Sequence, residues 1–139
     1  MTTWLLDTGP LVAYLDSRDP SHEAVSGVWD AFTGRLVTTS AVVTETMHFV
    51  SASPKGPRYL SDLLTAAAID VFDLTRPPEL GEAVTLMERY ADTPMDFADA
   101  TLVLLAEALD IPEILTLDRR GFAAYRTRQG ESFRLVLDL

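Results

Sequence analysis

The stretch WLLDTGP, residues 4–10, decides how the chain is read. Three apolar residues, Trp4-Leu5-Leu6, rise to one acid, Asp7, and the chain turns at once through Thr8-Gly9-Pro10. A short apolar run closed by turn residues reads as a buried strand. An ionised carboxylate at the mouth of a core is costly unless it is paired, hydrogen-bonded or bound to metal. Asp7 therefore marks the strand end as a place to look for chemistry, beside its plainer reading as an Asx-turn seating the Gly-Pro bend.

The same form recurs downstream. Ile114-Leu115-Thr116-Leu117 is a second apolar run that ends in an acid, Asp118. Between these runs, strands are expected at Leu36–Thr38 and Ile69–Leu74, with a last one at Phe133–Leu137. Helices are expected over Leu11–Leu15 and from a Ser21 cap to about Phe32. The next two run from a Ser40 cap to Val50 and from Arg58 to Ala68. Pro77-Pro78 opens another, ending near Tyr90, and a last begins at Asp96. Strands alternating with helical segments predict an α/β fold, a parallel sheet with helices on both faces. In such folds ligands bind beyond the carboxyl ends of the strands. Asp7 and Asp118 fall on one rim if their strands are parallel neighbours.

With 139 residues the chain is expected to form one domain, residues 1–139, long enough to bury a core. It has no cysteine, which excludes disulfides and thiolate metal sites and suits a reducing cytosol. No apolar run approaches the roughly 18 residues of a membrane span, and no signal-type segment opens the sequence. Eleven Lys+Arg against 21 Asp+Glu give a formal charge of −10, so the overall field does not attract nucleic acid. Half of the arginines, Arg119, Arg120, Arg126, Arg128 and Arg134, nevertheless cluster near the C-terminus as a local basic edge.

Three further acids can join the rim. Glu45 lies in the first turns of the helix in TTSAVVTE, residues 38–45. Asp96 and Asp99, spaced i, i+3, open the last long helix, where negative charge is favoured and where acids often serve only as caps. Convergent carboxylates without nearby lysine or histidine repel one another, and a hard cation with oxygen ligands, Mg²⁺ or Mn²⁺, is the natural compensation. Bridged to a phosphate, such an ion activates water and neutralises charge in the transition state. Other residues suggest less. A single Glu45-x-x-His48 does not make a di-iron site. His48 reads as a core-edge residue, His22 as a surface one, and Trp4 and Trp29 as core.

LLDTGPLVAYLD (5–16), TTSAVVTE (38–45), YADTPMDFADATLVLLAE (90–107) and ILTLDRRGFAAYR (114–126) together resemble, in order, the motifs of PIN-domain ribonucleases, especially the VapC-like toxins of toxin–antitoxin pairs. The resemblance implies a three-layer α/β/α sandwich. It places Asp7, Glu45, Asp99 and Asp118 at the four family acid positions, as catalytic and metal-binding residues, with Asp96 as an additional metal ligand. Thr8 and Thr116 would support these acids. Arg119, Arg120 and Arg126 follow the last acid directly, so they read either as holding RNA phosphates or as a solvated basic loop. It further implies Mg²⁺ or Mn²⁺ as cofactor, RNA as substrate, a cognate antitoxin, a homodimer and a cytoplasmic location. A non-catalytic PIN scaffold that binds RNA or protein is the alternative, and the four filled acid positions weigh against it. Haloacid-dehalogenase phosphatases and receiver domains are excluded: the former need a second acid where Gly9 stands, and both need a late lysine, whereas Lys55 is the only lysine.

Overall fold

The computed structural model describes residues 1–137. Five strands form one sheet: β1 (Thr3–Leu6), β2 (Arg35–Thr39), β3 (Asp70–Phe72), β4 (Glu113–Leu115) and β5 (Arg134–Leu135). Their order is β3-β2-β1-β4-β5, and every pairing is parallel. The helices are α1 (Thr8–Leu15), α2 (His22–Ala31), α3 (Ser40–Val50), α4 (Gly56–Ala66), α5 (Pro77–Arg89), α6 (Phe97–Leu109) and α7 (Arg119–Ala124). The architecture is the three-layer α/β/α sandwich, as expected.

β1 is the central strand, so both its faces are covered; Leu5 and Leu6 are fully buried, as are Ile114 and Leu115 of β4 beside it. The register sets Leu5 against Ile114 and Leu6 against Leu115, and the Asp7 N–H donates to the Leu115 carbonyl at 3.1 Å. The strand order reverses direction between β1 and β4, the switch point at which open parallel sheets leave a crevice. The acid-tipped runs at residues 4–7 and 114–118 are thus neighbours at that crevice.

α6 is buried continuously from Ala98 to Ala106, so it is enclosed on nearly all sides rather than amphipathic. Whatever lies in its first turn is carried into the interior, and that residue is Asp99. α3 instead buries one stripe, Val42 and Thr46. His48, two residues past Thr46, is turned away from that stripe and exposed, not at the core edge.

Several local expectations are corrected. α3 is capped by Thr39, whose Oγ1 accepts from the Val42 N–H at 3.3 Å, not by Ser40. Ser21 makes no side-chain cap bond; α2 is instead tied to α1 by His22 Nδ1, 2.7 Å from the Ala13 carbonyl, so His22 is half-buried and engaged. The third and fifth strands are shorter than expected. α7 replaces what reads in sequence as a basic loop, because six residues are too few to show a periodicity.

Candidate active site

Asp7, Thr8, Gly9, Val12, Asp19, Glu45, Phe49, Asp96, Asp99, Leu117 and Asp118 line one cleft of about 520 Å³ at the β1–β4 crevice. All five acids of the sequence reading therefore converge, from the end of β1, α3, the head of α6 and the head of α7. Asp19 and Phe49 join them without any signal in the sequence: Asp19 only reads as a turn residue, accepting from the Ser21 N–H at 2.8 Å.

Four of the five acids are held by the helix they precede or open, whereas Glu45 projects from the middle of α3. Asp7 caps α1, its Oδ1 accepting from the Thr8 N–H at 2.8 Å. Its Oδ2 accepts from the Thr116 hydroxyl at 2.7 Å, and Thr116 Oγ1 in turn accepts from the Asp118 N–H at 3.0 Å. Thr116 thereby couples the two acid-tipped strands across their ladder. Asp96 and Asp99 form a reciprocal capping box on α6: the Asp99 N–H donates to Asp96 at 2.8 Å, and the Asp96 N–H to Asp99 at 3.2 Å. Asp118 caps α7 by accepting from the Gly121 N–H at 2.9 Å. A side chain at Gly121 would collide with the Asp118 carboxylate, which is why glycine stands there. Behind the site, Thr39 and Thr101 hydroxyls meet at 2.8 Å, joining α3 to α6.

These roles as caps do not neutralise the acids. Asp7 and Asp99 are buried at 6% and 8% exposure, and every ion pair among the described residues lies elsewhere. Burial pushes the Asp7 carboxyl up from 3.8 to about 6, against the pull of its bonds from Thr116 and Thr8. Burial and then the charges of Asp7 and Asp96 push Asp99 up to about 8. Glu45, half-buried, is also raised, by burial and by Asp96, with Thr8 opposing. The Thr8 hydroxyl itself is buried and has no partner at hydrogen-bonding geometry, although it lies close enough to Glu45 to favour that carboxylate.

The donor set fits a hard divalent cation. It is all oxygen, it is starved of positive charge, and one buried hydroxyl beside it is unpartnered. Among the described residues no three acids already converge as the cage of a single ion. Mg²⁺ does not require one, since it keeps several waters and takes one or two carboxylates directly.

The arginines separate. Arg119 Nη1 donates to the Leu137 carbonyl at 2.8 Å, and Arg126 Nη1 to the carbonyls of Ala123 and Tyr125, each at 2.9 Å, at the end of α7. Arg120 is exposed and shares a small recess with Asp118, Gly121, Thr93 and Pro94.

The PIN domain family model matches residues 4–127. Over 134 residues the chain is 33% identical to Ribonuclease VapC26 of Mycobacterium tuberculosis, covering 95% of this chain and 98% of the relative. Among solved structures it is similar to VapC20 of M. tuberculosis, described as a Sarcin-Ricin loop cleaving toxin, with TM-score 0.75 and 18% identity over 88% of this chain and 95% of that one. A toxin–antitoxin complex from Klebsiella pneumoniae matches with TM-score 0.65 and 16% identity, over 87% and 91% of the two chains. VapBC2 from Rickettsia felis, bound to a promoter DNA fragment, matches with TM-score 0.64 and 14% identity, over 96% and 98%. At these identities the structural matches speak for the fold.

Proposed function

The chain belongs to the PIN-domain family, and from that premise we propose that its acidic cleft hydrolyses RNA, as the toxin of a toxin–antitoxin pair. The observation that carries the reading is the convergence of Asp7, Glu45, Asp96, Asp99 and Asp118 on one cleft with no cationic side chain paired to any of them. A ribonuclease relative matched over nearly its whole length supports the activity. Solved toxin–antitoxin complexes of the same fold support an antitoxin as protein partner.

Asp7, Glu45, Asp99 and Asp118, with Asp96 beside them, would hold a Mg²⁺ or Mn²⁺ ion directly or through its waters, and such an ion would supply the charge that acidifies water and neutralises the reacting phosphate. The chain's own residues do the positioning. Thr116 and the Thr8 N–H fix both oxygens of Asp7, so its carboxylate is aimed before substrate arrives. Burial raises the Asp99 carboxyl to about 8, so this acid would give up a proton in order to hold an ion. Arg120, exposed, without an ion-pair or hydrogen-bond partner for its side chain among the described residues and beside Asp118, is the arginine best suited to meet a phosphate. Arg119 and Arg126 could do so only by leaving their carbonyls. The body's acidity confines RNA to this local edge and argues for a structured or single-stranded site rather than general affinity. A cytoplasmic homodimer completes the proposal; no helix among the described residues is long and apolar enough to cross a membrane.

The test is cleavage of a cellular RNA pool with Mn²⁺ by the wild type and by Asp7→Asn. The expected loss is roughly a hundredfold or more, and the variant should also relieve any growth arrest caused by expressing the wild type. Equal cleavage by both proteins sinks the site. A wild type that binds RNA without cutting it turns the reading to a binding scaffold.

A further inference from the structure

Asp118 and the Asp96–Asp99 box sit on different elements, and a cation site built from both depends on the gap between them. Two tyrosines span that gap. The Tyr125 hydroxyl donates to the Pro94 carbonyl at 2.8 Å, in the loop that leads into Asp96. The Tyr125 ring is fully buried and lies edge-on to Phe122 and to Tyr90, with centroids 5.1 Å away in each case. It also packs on the turn capped by Asp118: a methyl group at Gly121 would come within 3.0 Å of Tyr125 Cε2. From the other side, the Tyr90 hydroxyl accepts from the Arg126 N–H at 2.9 Å, and the Tyr90 carbonyl accepts from the Thr93 N–H at 3.0 Å. The loop from Tyr90 to Asp96 is thus laced to the end of α7 at both of its ends.

The ring alone would satisfy packing, and phenylalanine would serve. The hydroxyl adds one directed bond, and its acceptor is the acid-bearing loop. Burial, and after it the charges of Asp99, Asp118, Asp96 and Asp7, raise the pKa of that hydroxyl.

We infer that Tyr125, assisted by Tyr90, is a positioning residue that sets the separation of the Asp96–Asp99 turn from Asp118 and through it the affinity of the cleft for a divalent cation. The inference rests on the metal-binding reading of the cleft. It acts as outer-shell partners do in metal sites, by orienting ligands it does not replace.

The experiment titrates Mn²⁺ into the full chain, as wild type, Tyr125→Phe and Tyr90→Phe, and follows amide exchange at Asp99 and Gly121. Those two N–H groups report the capping bonds of the two acid turns. Tyr125→Phe should bind Mn²⁺ roughly tenfold more weakly and exchange faster at Asp99, with α1 unchanged; Tyr90→Phe should show the same pattern more weakly. A lowered melting point with unaltered Mn²⁺ affinity would assign the hydroxyl to the core and overturn the inference. If the wild type takes up no Mn²⁺, the metal reading itself has failed, and the exchange rates then decide the tie: unchanged exchange at Asp99 in Tyr125→Phe removes it.

Discussion

On the flank of α6, Glu107 is met by Arg128 through Nε and Nη2, both at 2.7 Å, and through the Arg128 N–H at 2.6 Å. At the head of the same helix, Asp99 is buried as deeply and meets no cation at all. Arginines pair acids elsewhere too: Arg35 with Asp70 across β2 and β3, Arg134 with Glu113 across β4 and β5, Arg18 with Asp16. An acidic chain with few cations has placed Arg35, Arg128 and Arg134 where they hold elements together and has left the rim without a paired cation among the described residues. Strain of that kind is useful only where something else brings the missing charge.

The sharpest way to break this contrast is to titrate the empty protein. Burial favours the protonated carboxyl, so Asp7 and Asp99 add stability that is present below about pH 4. It is lost as pH rises through about 6 for Asp7 and about 8 for Asp99. For Asp7 alone the shift corresponds to something on the order of 3 kcal/mol. Melting points measured without metal should fall across that window, Mn²⁺ should flatten the fall, and Asp99→Asn should remove its upper half. A metal-free melting point that holds level from pH 5 to 8 would mean that the rim carries no such burden.

A smaller effect is expected at the paired end. Glu107→Gln leaves Arg128 with Glu82 alone, 3.3 Å away. Breaking a buried pair costs about 3–5 kcal/mol; because Arg128 is 42% exposed, about 2 kcal/mol is expected in urea unfolding. The Mn²⁺-induced rise in melting point should survive this change intact. If it is lost along with stability, the two ends of α6 are not independent, and the contrast dissolves.

The smallest effect is at the surface. Arg18 is 84% exposed beside Asp16, so Arg18→Ala should leave the melting point unchanged within error and RNA cleavage untouched. A clear loss of cleavage there would show that the cleft extends past Val12 and Phe49, which it shares with the neighbouring groove holding Arg18.

Much of the candidate site could be read before the fold. Asp7 and Asp118 each end an apolar run, and a strand end is legible because the change from apolar residues to turn residues is local. The Asp96–Asp99 spacing is legible for the same reason, since a capping box spans four consecutive residues. What escaped is what depends on a neighbour in space. Gly121 shows its purpose only when the Asp118 carboxylate is seen in the room a side chain would take. Tyr125 gives no sign that its hydroxyl reaches Pro94. Sequence alone gives His22 and His48 each the other's surroundings, because exposure on a short helix follows from which stripe finds the sheet. Arg119 and Arg126 look like phosphate ligands in a list of charges, yet both donate to backbone carbonyls.

The sequence by itself determined the parallel α/β order and the acids that could matter, because alternation of apolar runs, turns and caps is written in adjacent residues. Only the tertiary structure decided that β4 lies beside β1. That pairing brings Asp7 within one threonine of Asp118 and buries Asp99 with the head of α6. Burial in the cleft, not the identity of the carboxylates, is what raises the affinity of Asp7 and Asp99 for protons, and it exists only once strands far apart in the chain have paired.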